Sequence, residues 1–133
     1  MGAWGTGHFD NDTALDWVCE LESSEGLAAL WQAVEAAMVE EYVDSYEGAE
    51  ALAAMEVIAS LRGGVLGHLP EEAENWLKAH STVAVPENLL LRCREALARI
   101  ASEESELQEL WAETESYDEW KQAVAQLSQR LSD

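Results

Sequence analysis

The chain has 133 residues, 48% of them apolar, which is enough for one domain with a real core and too apolar for global disorder. Twenty-seven Asp and Glu stand against seven Lys and Arg, a net charge of −20, and residues 1–61 carry 13 acids and no Lys or Arg. Such a one-signed field disfavours nucleic acid and anionic lipid and favours basic proteins or cations, although a need for solubility also accounts for it.

The first seventeen residues, MGAWGTGHFDNDTALDW, combine a glycine-rich turn with large aromatics and an acidic cap. Gly2, Gly5 and Gly7 let the backbone run close to other chain segments, and Trp4 and Phe9 are expected to anchor the loop in the core. Asp10, Asn11, Asp12 and Thr13 are all N-cap types, and Thr13 with Asp16 forms a weakened capping box. Ala14, Trp17, Val18 and Leu21 follow at helical spacing, which predicts an ordered loop and a first helix over about 12–22.

Ser23 to Gly26 interrupts the pattern. Leu27, Leu30, Trp31, Val34 and Met38 mark a second helix to about residue 40. Ser45 is a candidate cap for a third, over about 47–62, apolar almost all round and therefore expected to be central; Gly63-Gly64 ends it. Pro70 and Pro86 open the fourth and fifth helices, the latter carrying Leu89, Cys93, Ala96, Leu97 and Ile100 in register. A short sixth holds Leu107, Leu110 and Trp111. Ser116-x-x-Glu119 reads as a capping box for the last, striped by Trp120, Val124, Leu127 and Leu131. The expectation is an all-α single domain over residues 1–133, a bundle of six or seven helices with an ordered glycine-rich N-terminal loop.

The candidates for chemistry are few. Asp10, Asp12 and Asp16 lack the ligand count and the sixth-position glycine of a calcium loop, so capping explains them better. His8, His68 and His80 belong to no metal-ligand pattern, and no metal or cofactor is implied. Cys19 and Cys93 read as small buried hydrophobes, without a disulfide framework. Arg92, Arg94 and Arg99 are expected to pair with acids at helical spacing, such as Arg99 with Glu95 or Glu103. Glu56 is the most informative residue. It lies inside the apolar third helix, where a carboxylate needs a partner. The structural reading makes it a clamp on the N-terminal loop, through backbone N–H groups or an indole. The functional reading makes it a general base or ligand contact, and the lack of a nucleophile favours the clamp. Met1-Gly2-x3-Thr6 formally matches N-myristoylation, but one acyl chain anchors only marginally without a basic patch. No signal peptide or membrane span is expected, which makes the cytoplasm the default.

The opening MGAWGTG-x-FDNDTA-x-DW resembles the bacterial family catalogued as domain of unknown function 4259. So do Glu50-Ala51-Leu52-Ala53-Ala54-Met55-Glu56-Val57-Ile58-Ala59 and Ser105-Glu106-Leu107-Gln108-Glu109-Leu110-Trp111 followed by Trp120. These segments run in order over nearly the whole chain, with His8 at a position the pattern leaves open. The resemblance implies no activity. Lopsided acidity without catalytic residues points to a non-enzymatic interaction module that binds a basic protein, of immunity or neutralising type, itself a monomer or weak homodimer. Glu35, Glu40, Glu41 and Asp44, near the end of the second helix, are the expected contacts. The alternative is a small-molecule binder or hydrolase-like enzyme built on Glu56 and the loop residues Trp4, Phe9, Asp10, Asp12 and Trp17.

Overall fold

A computed structural model describes residues 3–63 and 69–132. Gly2, Gly64 and His68 lie outside these residues. Seven α-helices are present among them: α1 (Asp12–Glu22), α2 (Ala28–Ala36), α3 (Ser45–Leu61), α4 (Glu71–Ala79), α5 (Glu87–Ile100), α6 (Glu106–Ala112) and α7 (Tyr117–Leu131). The fold is all-α.

The centre is α3, which packs against each of the other six helices. Its residues from Gly48 to Ala59 are almost all buried, and five alanines with one glycine among them let neighbouring helices approach closely. The other helices present single stripes to it: Trp17, Val18 and Leu21 from α1, Leu89, Cys93 and Ile100 from α5, and Trp120, Leu127 and Leu131 from α7. Gly63, at φ +92, follows the C-cap of α3 in the left-handed region where a glycine carries no steric cost.

Several local expectations change. The cap of α1 is Asn11, whose side chain accepts from the Ala14 N–H at 2.8 Å, so Thr13 and Asp16 form no capping box. Asp44, not Ser45, caps α3, accepting from the Glu47 N–H at 2.7 Å. Ser116 sits at φ −94, ψ 11 rather than in extended backbone, and its side chain makes no cap bond to α7. Cys93 is buried, which raises its thiol to about 12, but Cys19 is exposed because it lies one step off the α1 stripe.

The arginines explain much of the tertiary order. Arg99 on α5 donates to the carbonyls of Ala37 and Glu40, just beyond α2, and lies 3.7 Å from Glu104. It satisfies carbonyls left open at the end of α2, and there the chain turns away, short of the expected residue 40. Arg94 donates to the Leu131 carbonyl, and Arg62 donates to those of Arg130 and Ser132, closing the end of α7. Arg92 holds Glu35 of α2 through two bonds of 2.7 and 3.1 Å and reaches Glu95 on its own helix. Arg92 thus pairs with an acid at the expected helical spacing, Arg99 meets Glu104 rather than Glu95 or Glu103, and Arg62, Arg94 and Arg99 also donate to backbone carbonyls of other segments.

Histidine does similar work at the other end. His80 stacks on Trp76, donates through Nδ1 to the Trp76 carbonyl at 2.8 Å, and accepts from the Gly26 N–H through Nε2 at 3.2 Å. This ties the end of α4 to the turn between α1 and α2.

Candidate functional site

The N-terminal loop is described from Ala3. Its backbone makes an antiparallel bridge between Ala3 and Asn11, with the Trp4 N–H donating to the Asp10 carbonyl at 3.0 Å. The Asp10 carboxylate folds back over the turn and accepts from the Gly7 N–H at 3.2 Å. A Cβ on Gly5 or Gly7 would stand 2.6 or 2.7 Å from Asp10 Oδ2, so close approach, not backbone angle, accounts for those two glycines. Phe9 is buried in the core, as is Trp17 on α1. Trp4 is not: it is 61% exposed, against the expectation that it anchors the loop. The physical reason is that backbone bonds and Phe9 already fix the turn, and the bridge leaves the Trp4 ring outside.

Glu56 is 4% exposed and meets a cation. Arg130 Nη1 on α7 donates to Glu56 Oε2 at 2.5 Å, and His8 Nε2 lies 3.9 Å from Oε1. The contact with the N-terminal loop is thus an imidazole at longer range, and the direct partner is a guanidinium rather than a backbone N–H or an indole. His8 is itself buried, with Nε2 placed 3.4 Å from the Ala123 carbonyl. Burial holds the imidazole below its ordinary 6.5, opposed by the negative charge of Glu56 and by the carbonyl contact.

That depression has a consequence for stability. An unfolded chain takes up the proton near 6.5, whereas the folded chain keeps His8 neutral to lower pH. The stability linked to this residue is therefore complete above 6.5 and falls away as pH drops from there through the folded value. Between about pH 8 and about pH 5, wild type should lose stability relative to His8→Gln, which cannot titrate but retains a donor. Chemical denaturation of both proteins across that range cancels the carboxylates common to them. Parallel curves would show that His8 takes its proton as readily folded as unfolded.

Beside the loop lies a cleft of about 420 Å³ between the loop, the N-terminal part of α3, α6 and α7. Its buried lining is Ala49, Leu52, Leu107, Trp111 and Trp120, with His8. Its exposed lining includes Asp12 and Tyr46, the latter 69% exposed. Among the described residues no Lys or Arg lines it. Of the residues expected at a ligand site, Asp12 alone lines the cleft. Trp4, Phe9, Asp10, Trp17 and Glu56 do not. No group of three or more His, Cys, Asp or Glu among the described residues is arranged to hold a metal ion.

Next to the cleft runs the connector from α2 to α3. Val43 exchanges backbone bonds with Glu104 and Glu106, at 2.7 and 2.9 Å, and the Ser45 N–H donates to Glu106 Oε1 at 2.7 Å. This pinning leaves alternate neighbours outside. Val39, Tyr42 and Tyr46 are exposed large hydrophobics, and Glu40, Glu41 and Asp44 are exposed among them. The Tyr42 hydroxyl donates to Glu109 Oε2 at 2.6 Å, and that bond raises its pKa to about 12. Because α2 ends at Ala36, Glu40 and Glu41 lie beyond the helix rather than in its last turn. Glu35 is held by Arg92, and Asp44 is the cap of α3.

The family model described as domain of unknown function DUF4259 matches residues 2–123. The chain belongs to the DUF4259 family. No curated protein and no solved structure matches it. In this DUF4259 chain the matched stretch includes the loop, the cleft lining and the connector. Arg130, the partner of Glu56, lies beyond it. No helix among the described residues is long and apolar enough to cross a membrane.

Proposed function

We propose that this protein is a non-enzymatic, cytoplasmic interaction module of bacterial origin that binds a basic protein through the connector between α2 and α3. The observation that carries the reading is the surface of residues 39–46, where exposed Val39, Tyr42 and Tyr46 alternate with exposed Glu40, Glu41 and Asp44. Aromatic side chains supply most of the energy at protein interfaces, and a one-signed rim supplies partner choice and association rate. The pinning of Val43 against the α5–α6 connector holds this surface in one conformation, which lowers the ordering cost of binding. Arg99 borders this surface through the Ala37 and Glu40 carbonyls and Arg92 through Glu35, and the exposed acids Glu40, Glu41 and Asp44 add to Glu35 to outnumber these two cations. Catalysis by Glu56 has weaker support, since its carboxylate is engaged by Arg130 and stands outside the cleft.

Recovery of a partner from the native host should be efficient at low salt. It should fall steeply as the Debye length drops from about 10 to about 3 Å. The double variant Glu40→Lys, Glu41→Lys should recover little even at low salt, while its thermal stability matches wild type, because both side chains are exposed. Recovery of the same partner regardless of salt and charge reversal would rule out this interface.

A further inference from the structure

The cleft and the exposed surface of the connector meet at Tyr46, which lines the cleft from the first turn of α3, directly after the connector. The buried part of the cleft is mostly apolar, formed by Leu52 and Ala49 of α3, Leu107 and Trp111 of α6, and Trp120 of α7, with the His8 imidazole of the loop beside them. An ammonium or guanidinium placed that deep would lose its water without meeting a carboxylate, since Glu56 does not line the space. The mouth is different. Asp12 is exposed there on the first turn of α1, and no described Lys or Arg offsets it, so an anionic group is disfavoured at entry. An occupant that suits both parts has an apolar end directed inward and a cation left at the mouth. The volume of about 420 Å³ falls in the range of functional pockets and exceeds what a small aliphatic side chain fills.

We propose that the cleft receives a large apolar side chain of the basic partner, with a neighbouring lysine or arginine of that partner set against Asp12. This rests on the proposed function and adds a buried anchor on the partner's side to the exposed tyrosines of that surface. A peptide segment fits better than a free amine because the cleft is continuous, through Tyr46, with the exposed acids of residues 39–46. Such a segment places its anchor against the stacked pair Trp111 and Trp120, whose ring centroids lie 6.4 Å apart, and lays further bases along Glu40 and Glu41. Anchors seated in desolvated pockets dominate affinity, and the flanking charges act on rate and choice of partner.

The test is selection of random dodecapeptides displayed on phage against the full chain, followed by titration of the best synthetic peptide. The expected selection pairs a large apolar residue with Lys or Arg one or two positions away. Binding of that peptide should weaken at least tenfold when its apolar residue becomes alanine, about tenfold in Asp12→Lys, and at least tenfold in Ala49→Trp, which fills the cleft. If Ala49→Trp does not fold by circular dichroism, Thr6→Trp blocks the same space from the loop. Basic peptides with no apolar requirement that bind the cleft-filled variant unchanged, yet are lost in Glu40→Lys, Glu41→Lys, would overturn the cleft and leave the acidic surface standing. Selected peptides without an excess of Lys or Arg, or binding insensitive to every one of these substitutions, would overturn both.

Discussion

Glu56→Ala should lower the free energy of unfolding by about 3 kcal/mol, at the low end of what breaking a buried ion pair costs. The pair joins the central helix to the last one at 2.5 Å, with the carboxylate side chain 5% exposed and the guanidinium 19%. Arg130 keeps some access to water, which places the loss at the low end. Arg130→Ala should cost as much or more, because the carboxylate has no comparable access and is left in the core. Replacing both at once, as Glu56→Leu with Arg130→Met, removes the uncompensated charge and should recover most of the loss. For a chain of this length, about 3 kcal/mol corresponds to a fall in Tm on the order of 10 °C. Urea titrations of wild type, both single variants and the double variant give the coupling directly. Single effects that simply add, or a Tm that moves by less than about 1 °C in Glu56→Ala, would show that the pair is incidental to the fold.

The identity of that partner shows where sequence reasoning reached and where it stopped. The almost all-round apolar character of residues 49–61 was enough to place α3 at the centre, because a helix without a continuous polar face has to be covered on every side. A carboxylate there demands compensation, and the first 61 residues contain no Lys or Arg. A compensating Lys or Arg therefore had to come from residue 62 onward, and Arg130 sits three residues after Leu127, on the face α7 turns to the core. That signal was present in the charge distribution. Choosing among seven cations, however, requires knowing which helices touch.

Arg92 does pair with Glu95 at helical spacing and Arg99 meets Glu104, but the carbonyl contacts of the other arginines were missed for a related reason. Pairing at helical spacing is a local rule, whereas Arg94 and Arg99 reach carbonyls at the ends of other helices. Open carbonyls at helix ends are a general need, and α1, α2, α3 and α6 have no base in their last turns to meet it. Which distant guanidinium serves which end is set by tertiary packing and has no trace in spacing. The cleft was illegible for the same reason. Asp12, Tyr46, Leu107 and Trp120 come from four elements, and each has an ordinary local explanation as a first-turn acid or as part of a helix stripe.

The loop supplies the sharpest contrast between two aromatics that look alike in sequence. Phe9→Ala should destabilise by about 3 to 5 kcal/mol, whereas Trp4→Ala should stay within about 0.5 kcal/mol of wild type. Both rings sit in the same glycine-rich turn, but Phe9 is 8% exposed and packed with the core, and Trp4 is 61% exposed. Truncating Phe9 leaves a cavity next to His8, where the neighbours are held by the Ala3–Asn11 bridge and cannot collapse fully. Removing the Trp4 ring leaves the backbone bond from Trp4 N–H to the Asp10 carbonyl in place. Thermal and urea unfolding of the two single variants separates the cases. Equal losses would place the Trp4 ring against the core. A negligible loss in Phe9→Ala would instead make the whole loop a loosely attached strap, and the cleft it walls would then lack a rigid side. If Trp4 is silent in folding, its exposed ring is free to contact a partner. In that event Trp4→Ala should weaken binding of the selected peptide or the recovered protein while leaving Tm unchanged, a combination that packing of the ring in the core cannot produce.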